Sequence, residues 1–263
     1  MNSKLTRIAI TGAYGRMGSS LIQVIQKYTD VILTYALVKK KTLDIFTKQQ
    51  KKIPISTNIE KIIKSFDILI DFSTPKNTLK NLKICHKYDK KIIIGTTGFT
   101  ENEYNTIKSY SKKISIVMSS NFSIGINLIF KLLEQTSKII NDSYDIEIVE
   151  SHHRNKLDSP SGTALQIGNI IAKNKKWDLN TVSIYRKKEI TNTRERKKIG
   201  FSIIRGGDVI GEHKIIFLGT GEKITISHQA NNRDTFASGA IQAAIWIKEQ
   251  AAGLFSMIDV LKI

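Results

Sequence analysis

Near its start the chain reads Arg7-Ile-Ala-Ile-Thr-Gly-Ala-Tyr-Gly-Arg-Met-Gly18. Its first five residues form a largely apolar run typical of a short buried strand, and apolar residues then recur at helical spacing as far as Ile25. In such a turn Gly12 permits the sharp bend, Gly15 lets a pyrophosphate approach backbone N–H groups, and Gly18 allows close helix–sheet packing. Strand, glycine turn and helix in this order predict a dinucleotide-binding unit, and a glycine turn of purely structural use is the alternative.

The end of the second predicted strand bears on the choice of cofactor. This strand covers Val31–Val38 and is followed by Lys39-Lys-Lys41. A site that prefers NADH usually carries an acidic residue here, which hydrogen-bonds the ribose hydroxyl. The acid is missing and cations take its place, a pattern that favours the 2′-phosphate of NADPH. We therefore expect NADPH as the preferred cofactor and NADH as the second candidate, unless these lysines only reflect the general lysine excess.

Three further apolar runs, at residues 66–72, 91–95 and 114–118, alternate with helical patterns. Small polar residues follow each run, and they are Ser73-Thr-Pro75, Thr96-Thr-Gly-Phe99 and Ser119-Ser-Asn-Phe122. Ligands of a doubly wound sheet bind at the carboxyl ends of its strands. The pattern predicts an α/β fold with an N-terminal, Rossmann-type parallel sheet over residues 1–122.

The second half of the chain has a different pattern. A long amphipathic helix is predicted at residues 124–140, and strand-like runs with short turns follow near 182–185, 199–204, 209–218 and 223–230. Consecutive strands of this kind indicate a mixed or antiparallel sheet, so residues 123–239 are predicted to form a second, α+β domain that carries the candidate substrate loop. A helix is expected at residues 235–252, and the region 240–263 is expected to pack back on the first domain.

The loop after Glu147-Ile-Val-Glu150 carries the densest chemistry of the sequence. His152, His153, Arg154 and Lys156 follow this strand within a few positions, and Ser159-Pro-Ser-Gly-Thr163 then reads as the cap of a helix beginning near Ala164. A proton donor, fixed cations and a helix N-terminus in one loop suit a small acidic substrate. We expect Arg154 either to pair with Asp158 or Glu150 and shape the loop, or to face the substrate.

Other polar residues are expected to have structural roles. No metal site is expected, because adjacent histidines in extended chain point to opposite sides and no third ligand is suitably spaced. The remaining histidines are expected to be structural, and a group of residues near a later strand turn is expected to be hydrogen-bonding scaffold. The first set is His86, His213 and His228, and the second is Arg205, Asp208, Glu212 and His213.

Composition limits the partners. The formal net charge is +18, but the lysines are spread along the whole sequence and do not form a stripe with interleaved aromatic residues, so a nucleic-acid partner is not expected. The single cysteine, Cys85, allows no internal disulfide and suits a reducing compartment. No apolar run reaches the length of a membrane span, and the start of the sequence lacks a signal-peptide core. We expect a cytoplasmic protein with no membrane partner.

Taken together, seven motifs resemble the 4-hydroxy-tetrahydrodipicolinate reductase family, also called dihydrodipicolinate reductase, over nearly the whole length. They are Gly12-Ala-Tyr-Gly-Arg-Met-Gly18, Asp71-Phe-Ser-Thr-Pro75, Gly95-Thr-Thr-Gly-Phe99, Ser120-Asn-Phe-Ser123, Glu150-Ser-His-His-Arg-Asn-Lys-Leu-Asp-Ser-Pro-Ser-Gly-Thr-Ala164, Arg205-Gly-Gly-Asp-Val-Ile-Gly-Glu-His213 and Arg233-Asp-Thr-Phe-Ala-Ser-Gly239. The resemblance implies reduction of a cyclic imine dicarboxylate by NADH or NADPH, on the diaminopimelate–lysine pathway. It also implies a homotetramer formed through the sheets of the C-terminal domain.

The resemblance assigns roles residue by residue. The catalytic residues are His152 as acid/base and Lys156 as proton donor. Substrate-binding positions are His153, Lys156, Ser161, Gly162, Thr163 and Thr97. Cofactor-binding positions are Gly12, Ala13, Tyr14, Gly15, Arg16, Met17, Lys39, Gly95, Thr96, Thr97, Ser119, Ser120, Asn121 and Phe122. The sequence departs from the family where Tyr14 replaces a turn glycine, where Val38 replaces the ribose-binding acid, and in a short segment after Lys41.

Two other functions fit the sequence less well. A dehydrogenase of the same layout could act on another small acid or an amino acid, although the His-His-Arg-x-Lys loop argues against it. A basic nucleic-acid-binding module would account for the charge, and it would bind DNA or RNA in a salt-sensitive manner.

Overall fold

The computed structural model describes residues 5–42, 53–185 and 193–263. The chain divides into two compact units. The first unit contains the described residues of Met1–Ile124 and of Arg233–Ile263, and the second contains those of Gly125–Asn232. The first unit is therefore built from two separate stretches of sequence, with the second unit inserted between them.

The first unit is organised on a seven-stranded parallel sheet. Its strands are β1 (Thr6–Thr11), β2 (Val31–Leu37), β3 (Ile55–Ser56), β4 (Ile68–Asp71), β5 (Lys91–Ile94), β6 (Ser115–Met118) and β12 (Gly253–Phe255). They lie in the order β12-β6-β5-β4-β1-β2-β3, and each neighbouring pair is parallel. The strand order reverses beside β1, so a crevice opens at the carboxyl ends of β1 and β4.

Helices cover both faces of this sheet. They are α1 (Arg16–Ile25), α2 (Pro75–Lys87), α3 (Glu101–Tyr110), α7 (Asp234–Ile247) and α8 (Met257–Leu261), with short 3-10 helices at Lys40–Thr42 and Glu60–Ile62. Two separate apolar cores result, and alternate residues of β1 point into them: Ile8 and Ile10 into one and Ala9 into the other. Both faces of β1 are buried, as expected of a strand inside a parallel sheet.

The second unit contains a five-stranded mixed sheet. Its strands are β7 (Asp145–His152), β8 (Ser183–Tyr185), β9 (Ile199–Arg205), β10 (Gly211–Leu218) and β11 (Lys223–Ala230), in the order β11-β10-β7-β9-β8. Its helices are α4 (Ile124–Ile139, whose first residue belongs to the first unit), α5 (Gly162–Asn174) and α6 (Leu179–Val182). β10 runs antiparallel to β7 and β11, whereas β9 runs parallel to β7 and β8. The predicted combination of a Rossmann-type parallel sheet and a mixed sheet is confirmed.

One face of β7 changes character along the strand. Ile146 and Ile148 pack in the apolar core of the second unit, and Glu150 and His152 continue the same face at the carboxyl end of the strand. The aligned residue of β10 opposite Glu150 is His213, and that of β9 beside His152 is Arg205. Strand register therefore collects polar residues from three strands at one end of an otherwise apolar layer.

The structure corrects several boundaries. The helix expected at residues 235–252 ends at Ile247, and the chain then forms β12, which pairs with β6 at Gly253 and Ser115. The second strand ends at Leu37 instead of Val38. The helix expected from Ala164 begins two residues earlier. The segment after Lys41 that is short for the family lies mostly outside the described residues.

Candidate functional site

The glycine turn after β1 is shaped by close backbone contacts. Gly12 has φ of +73°, a conformation that favours glycine, and a Cβ there would lie 2.5 Å from the carbonyl oxygen of Phe72. A Cβ at Gly18 would lie 2.3 Å from the carbonyl oxygen of Gly12. Gly15 is the N-cap of α1. The first turn of the helix can therefore approach a ligand through its backbone N–H groups, as pyrophosphate binding requires.

A cleft of about 780 Å³ opens beside this turn. Gly12, Ala13, Tyr14 and Gly15 line part of it, and residues that follow β2, β3 and β4 line most of the rest. Further lining residues include Val38, Lys39, Lys40, Glu60, Ser73 and Asn77. The volume suits a ligand of nucleotide size.

The ends of β5 and β6 carry most of the other predicted nucleotide contacts. Thr96, Thr97 and Ser120 line a smaller depression, while the side chain of Phe122 is buried and packs on Phe72 with 5.6 Å between ring centroids. Phe122 can therefore offer a ligand only its backbone. The remaining predicted positions do not line either opening: Gly95, Ser119 and Asn121 lie at the strand ends, and Arg16 and Met17 lie in α1.

A buried carboxylate supports these strand ends. Asp71 ends β4 and accepts hydrogen bonds from the backbone N–H of Ser73 at 3.0 Å, from its hydroxyl at 2.6 Å and from Asn81 Nδ2 at 2.9 Å. Burial raises the pKa of Asp71, against the opposing effect of these hydrogen bonds. Thr96 joins the group by accepting from the Ser73 N–H at 3.0 Å. Asp71 belongs to one of the family motifs, but its local sequence does not reveal this supporting role.

In the second unit, Glu150 is the centre of the predicted loop. It is 1% exposed, and its Oε1 accepts from Ser161 N at 2.9 Å and from Arg205 Nη2 at 2.8 Å. Its Oε2 lies 3.2 Å from His152 Nδ1 and 3.8 Å from His213 Nε2. These five residues, Glu150, His152, Ser161, Arg205 and His213, are called the Glu150 cluster below.

Burial and charge act against each other in the Glu150 cluster. Burial would raise the pKa of Glu150, but the contacts from His152, Ser161 and Arg205 outweigh it and hold that pKa well below its usual range. Burial lowers the pKa of His213 to about 3, with a contribution from neighbouring His152, so His213 is neutral at neutral pH. The carboxylate is therefore ionised beside one guanidinium and one neutral imidazole.

The helix N-terminus after the loop is ordered by the same cluster. Ser161 is the N-cap of α5 and its hydroxyl accepts from Ala164 N at 3.2 Å, while His213 Nε2 lies 3.2 Å from that hydroxyl. Gly162 and Thr163 form the first turn of the helix. Their N–H groups are among those that an α-helix leaves without an internal partner.

Other cations than Arg154 pair with the carboxylates of the loop. Arg154 was expected either to pair with Glu150 or Asp158 or to face the substrate; Glu150 pairs with Arg205, and Asp158 pairs with Lys156 Nζ at 2.8 Å. Burial would raise the pKa of Asp158, and the ion pair with Lys156 lowers it overall. Lys156 is 22% exposed and so remains accessible to a ligand. His153 follows the end of β7 and its carbonyl accepts from Lys156 N at 3.1 Å.

Long-range pairing brings together residues that the sequence kept apart. The expectation that no third potential ligand lies near His152 is wrong, because ligand atoms of Glu150, His152 and His213 lie within 4.8 Å of one another. The guanidinium of Arg205, 2.8 Å from the same carboxylate, opposes the binding of a cation there. The alternation of His213 with Ile215 and Phe217 in β10 was the sequence signal that His213 faces the core.

These features define the class of the protein. A parallel sheet with this strand order, a glycine turn and a cleft at its carboxyl edge is a dinucleotide-binding fold, and the full-length relatives described below make the protein an oxidoreductase. The chain belongs to the dihydrodipicolinate reductase family. The family model described as "Dihydrodipicolinate reductase, N-terminus" matches residues 6–122, and the one described as "Dihydrodipicolinate reductase, C-terminus" matches residues 125–261. The family predicted from the motifs is confirmed, and with it the use of a nicotinamide dinucleotide.

Known relatives and structures agree. The 4-hydroxy-tetrahydrodipicolinate reductase of Buchnera aphidicola subsp. Schizaphis graminum is 52% identical over 100% of this chain and 99% of its own length, and that of subsp. Baizongia pistaciae is 49% identical over 100% of both. The dipicolinate-bound dihydrodipicolinate reductase from Paenisporosarcina sp. TG-14 superposes with a TM-score of 0.79 at 24% identity, over 97% of this chain and 99% of that chain. A probable dehydrogenase from Thermotoga maritima superposes with a TM-score of 0.64 at 13% identity, over 97% and 92%. The two structures support the fold.

Within the described ranges, every helix is too short or too polar to cross a membrane.

Proposed function

We propose that the chain reduces 4-hydroxy-tetrahydrodipicolinate to tetrahydrodipicolinate with NAD(P)H, a step of diaminopimelate and lysine biosynthesis. Relatives of that name align with the full length of the chain. One observation carries the proposal at the level of residues. A cation (Lys156), an imidazole beside a buried carboxylate (His152) and a helix N-terminus (Gly162) occur in a single loop of the second unit. A dicarboxylate that must accept a proton needs these three elements.

The glycine turn is proposed to hold the dinucleotide. The absence of side chains at Gly12 and Gly15, together with the N-terminus of the ten-residue helix α1, fits a pyrophosphate. When bound, the dinucleotide supplies a hydride. Further contacts are proposed for Ala13, Tyr14, Arg16, Met17, Lys39, Gly95, Thr96, Thr97, Ser119, Ser120, Asn121 and Phe122. Tyr14 is 44% exposed beside the cleft, so it can pack on the ligand in place of the usual glycine.

NADPH is the proposed preference. Lys39 and Lys40 follow β2 and line the cleft, where they can pair with a 2′-phosphate. Glu60 also lines the cleft and offers a carboxylate to a ribose hydroxyl. Because two cations face one anion, we expect NADPH to bind more tightly than NADH.

The substrate carboxylates are proposed to bind at two places in the loop. Lys156 holds one of them as a point charge. The N–H groups of Gly162 and Thr163 hold the other, at the positive end of α5, and Ser161 fixes where that helix begins. His153 and Thr97 are proposed as further substrate contacts.

Proton delivery is assigned to His152 and Lys156. Reduction of the conjugated imine leaves an enamine that requires a proton. An imidazole beside an ionised carboxylate is well suited to carry that proton, because the carboxylate can hold the ring in one orientation. Lys156 is the second proton donor, and its ion pair with Asp158 must open for it to reach a ligand.

Assembly and location follow the same proposal. We propose a homotetramer formed through the sheets of the second unit, where β11 is an edge strand that carries the partly exposed Ile224. The proposed compartment is the cytoplasm. Light scattering of the purified protein at several concentrations measures the oligomeric state directly.

One assay tests the activity. Loss of NADPH or NADH absorbance is followed with enzymatically generated 4-hydroxy-tetrahydrodipicolinate, and we expect oxidation of both with the higher kcat/KM for NADPH. His152→Gln and Lys156→Ala should each lower turnover on the order of 10²- to 10⁴-fold while NADPH binding stays near normal, because neither side chain belongs to the glycine turn. No oxidation of either cofactor by the wild type would refute the proposed activity, and full turnover in both variants would refute the residue assignment.

A further inference from the structure

The two oxygens of Glu150 serve different parts of the loop. Oε1 accepts from the N-cap residue Ser161 and from Arg205, whereas Oε2 faces His152 Nδ1 at 3.2 Å. Oε2 and Nδ1 are both shielded from solvent, and among the described residues neither has a well-aligned hydrogen bond, so each is the nearest polar partner that the other has. One buried carboxylate thus lies between the imidazole and the start of α5.

We propose that Glu150 is a positioning residue that fixes the proton-carrying state of His152 and, through its other oxygen, the helix N-terminus that receives a substrate carboxylate. This inference rests on the proposed function, in which His152 supplies the proton and α5 binds the carboxylate. Glu150 itself is 1% exposed and acts through its two neighbours.

The geometry determines which nitrogen of His152 exchanges the proton. An ionised carboxylate accepts but cannot donate, so the atom facing it must be an Nδ1–H group. The remaining nitrogen, Nε2, then takes up and releases the proton. Nε2 lies beside Gly211 of β10, where an added Cβ would be 3.1 Å away, so the glycine leaves room at that atom. The carboxylate therefore faces one nitrogen of the ring, and the missing side chain of Gly211 leaves the other nitrogen uncrowded on that side.

Other charged or titratable groups around the ring fit the same arrangement. Arg205 on β9 pairs with the other oxygen of Glu150, Oε1, and His213 on β10 is neutral. His228 on β11 and Lys156 in the loop are the other charged or titratable groups that act on His213, and each lowers its pKa. The stabilising charge that His152 meets at 3.2 Å is therefore that of Glu150.

The substitution Glu150→Gln separates the two tasks of the carboxylate. The amide oxygen of glutamine can still accept from Ser161 N and Arg205, so the helix start is kept. Its NH₂ group then faces His152 Nδ1, which must become an acceptor, and the ring proton moves to Nε2. A protonated ring would place two donors face to face. We expect kcat to fall on the order of 10²-fold with KM and dipicolinate affinity nearly unchanged, because loss of the correct imidazole state removes acid catalysis and leaves binding intact.

A spectroscopic readout reports on the ring directly. The ¹⁵N resonances of His152, identified by their absence in His152→Gln, should show a protonated Nδ1 in the wild type and a protonated Nε2 in Glu150→Gln at neutral pH. A purely structural carboxylate would leave the ring proton on the same nitrogen in both proteins.

Three further variants guard against a folding artefact. Ser161→Ala removes the N-cap and should mainly raise KM, leaving kcat close to the wild type. The double variant Glu150→Gln, Arg205→Gln removes both charges of the buried pair, so it restores charge balance but should keep the low kcat. Glu134→Gln changes a half-exposed carboxylate of α4 that pairs with Lys131 and should leave activity unchanged.

The outcomes separate this inference from the proposed function. Wild-type protein that oxidises no cofactor rejects the function, while the NMR comparison still tests the role of Glu150. Active wild type together with a fully active Glu150→Gln, or an unchanged His152 ring state, overturns the positioning role. Recovery of kcat in the double variant would also overturn it, because it would show that charge balance alone was required.

Discussion

The two regions proposed to bind ligands are built by opposite means. In the glycine turn of the first unit, the contacts are made by backbone atoms, and the important feature of Gly12, Gly15 and Gly18 is the missing side chain. In the loop of the second unit, the Glu150 cluster places ionised and titratable side chains in the interior and in contact with one another. Under the proposed function, the first region recognises its ligand by shape and the second by charge.

This difference determines how each region should fail. A backbone cradle tolerates no added atoms but depends little on pH, because it contains no titrating group of its own. A buried charge cluster tolerates changes of shape better than changes of charge, since removing one partner leaves another uncompensated. Substitutions and pH can therefore be directed at one region at a time.

Gly18→Ala should have the largest effect. Its methyl group would meet the backbone of Gly12 and Ala13 at 2.3 to 2.5 Å, and backbone cannot move aside as a flexible side chain can. Overpacking of this kind costs about 1–3 kcal/mol. We expect the free energy of unfolding of the first unit to fall by an amount at the upper end of this range. NADPH affinity should fall more than tenfold. Denaturant titration and fluorescence titration with NADPH measure the two effects, and Ser19→Ala on the exposed side of α1 is the control.

The second region should respond to acid. In the unfolded chain His213 has its ordinary pKa of 6.5, whereas in the folded protein its pKa is lowered to about 3. Between these two pH values the unfolded state binds more protons than the folded state. The free energy of unfolding therefore falls as the pH falls. Between pH 7 and pH 5 the loss should be roughly 1–2 kcal/mol. Denaturant titrations at several pH values should show it, and His213→Gln should flatten the slope. The same slope in that variant would assign the effect to another group.

Lys39→Ala should have an intermediate effect on the first region. Loss of one charge-assisted contact to the 2′-phosphate should lower kcat/KM for NADPH about tenfold and leave that for NADH unchanged. Lys39→Arg should retain the preference. An equal loss with both cofactors would mean that Lys39 contacts a part that the two share.

Asp158→Asn should have the smallest effect. Asp158 pairs with Lys156, and under the proposed function this partly exposed ion pair would compete with a substrate carboxylate. Its removal should lower KM by about two- to fivefold, the range expected for an exposed pair. Steady-state kinetics at constant ionic strength measures the change. A higher KM would instead show that Asp158 holds Lys156 in place for the substrate.

Local sequence patterns predicted the elements whose determinants are contiguous. The strand, turn and helix from Thr6 to Ile25 follow from residue type and spacing alone. By contrast, β12 is only three residues long and owes its existence to pairing with β6, far away in sequence. The apolar periodicity therefore predicted that the last long helix continues to residue 252, whereas it ends at Ile247.

The same limit applies to the candidate site. His152, Lys156 and Ser161 stand in one loop and could be selected from the sequence. Arg205 and His213 reach Glu150 only through the register of β9 and β10 with β7, and a one-residue shift of either strand would turn them away. Because their contacts depend on residues far away in sequence, local patterns predicted only a scaffold role and did not show that they contact Glu150.

The first unit is formed by two separate stretches of the chain, and this has a consequence for folding during protein synthesis. On the ribosome, Arg233–Ile263 emerges only after all of the second unit, so a nascent chain can form β1 to β6 long before α7 and β12 exist. Until then the surface that α7 covers, including apolar residues of α1, is open to water or to a chaperone. The inserted unit, whose residues are contiguous, can finish folding first although it begins second.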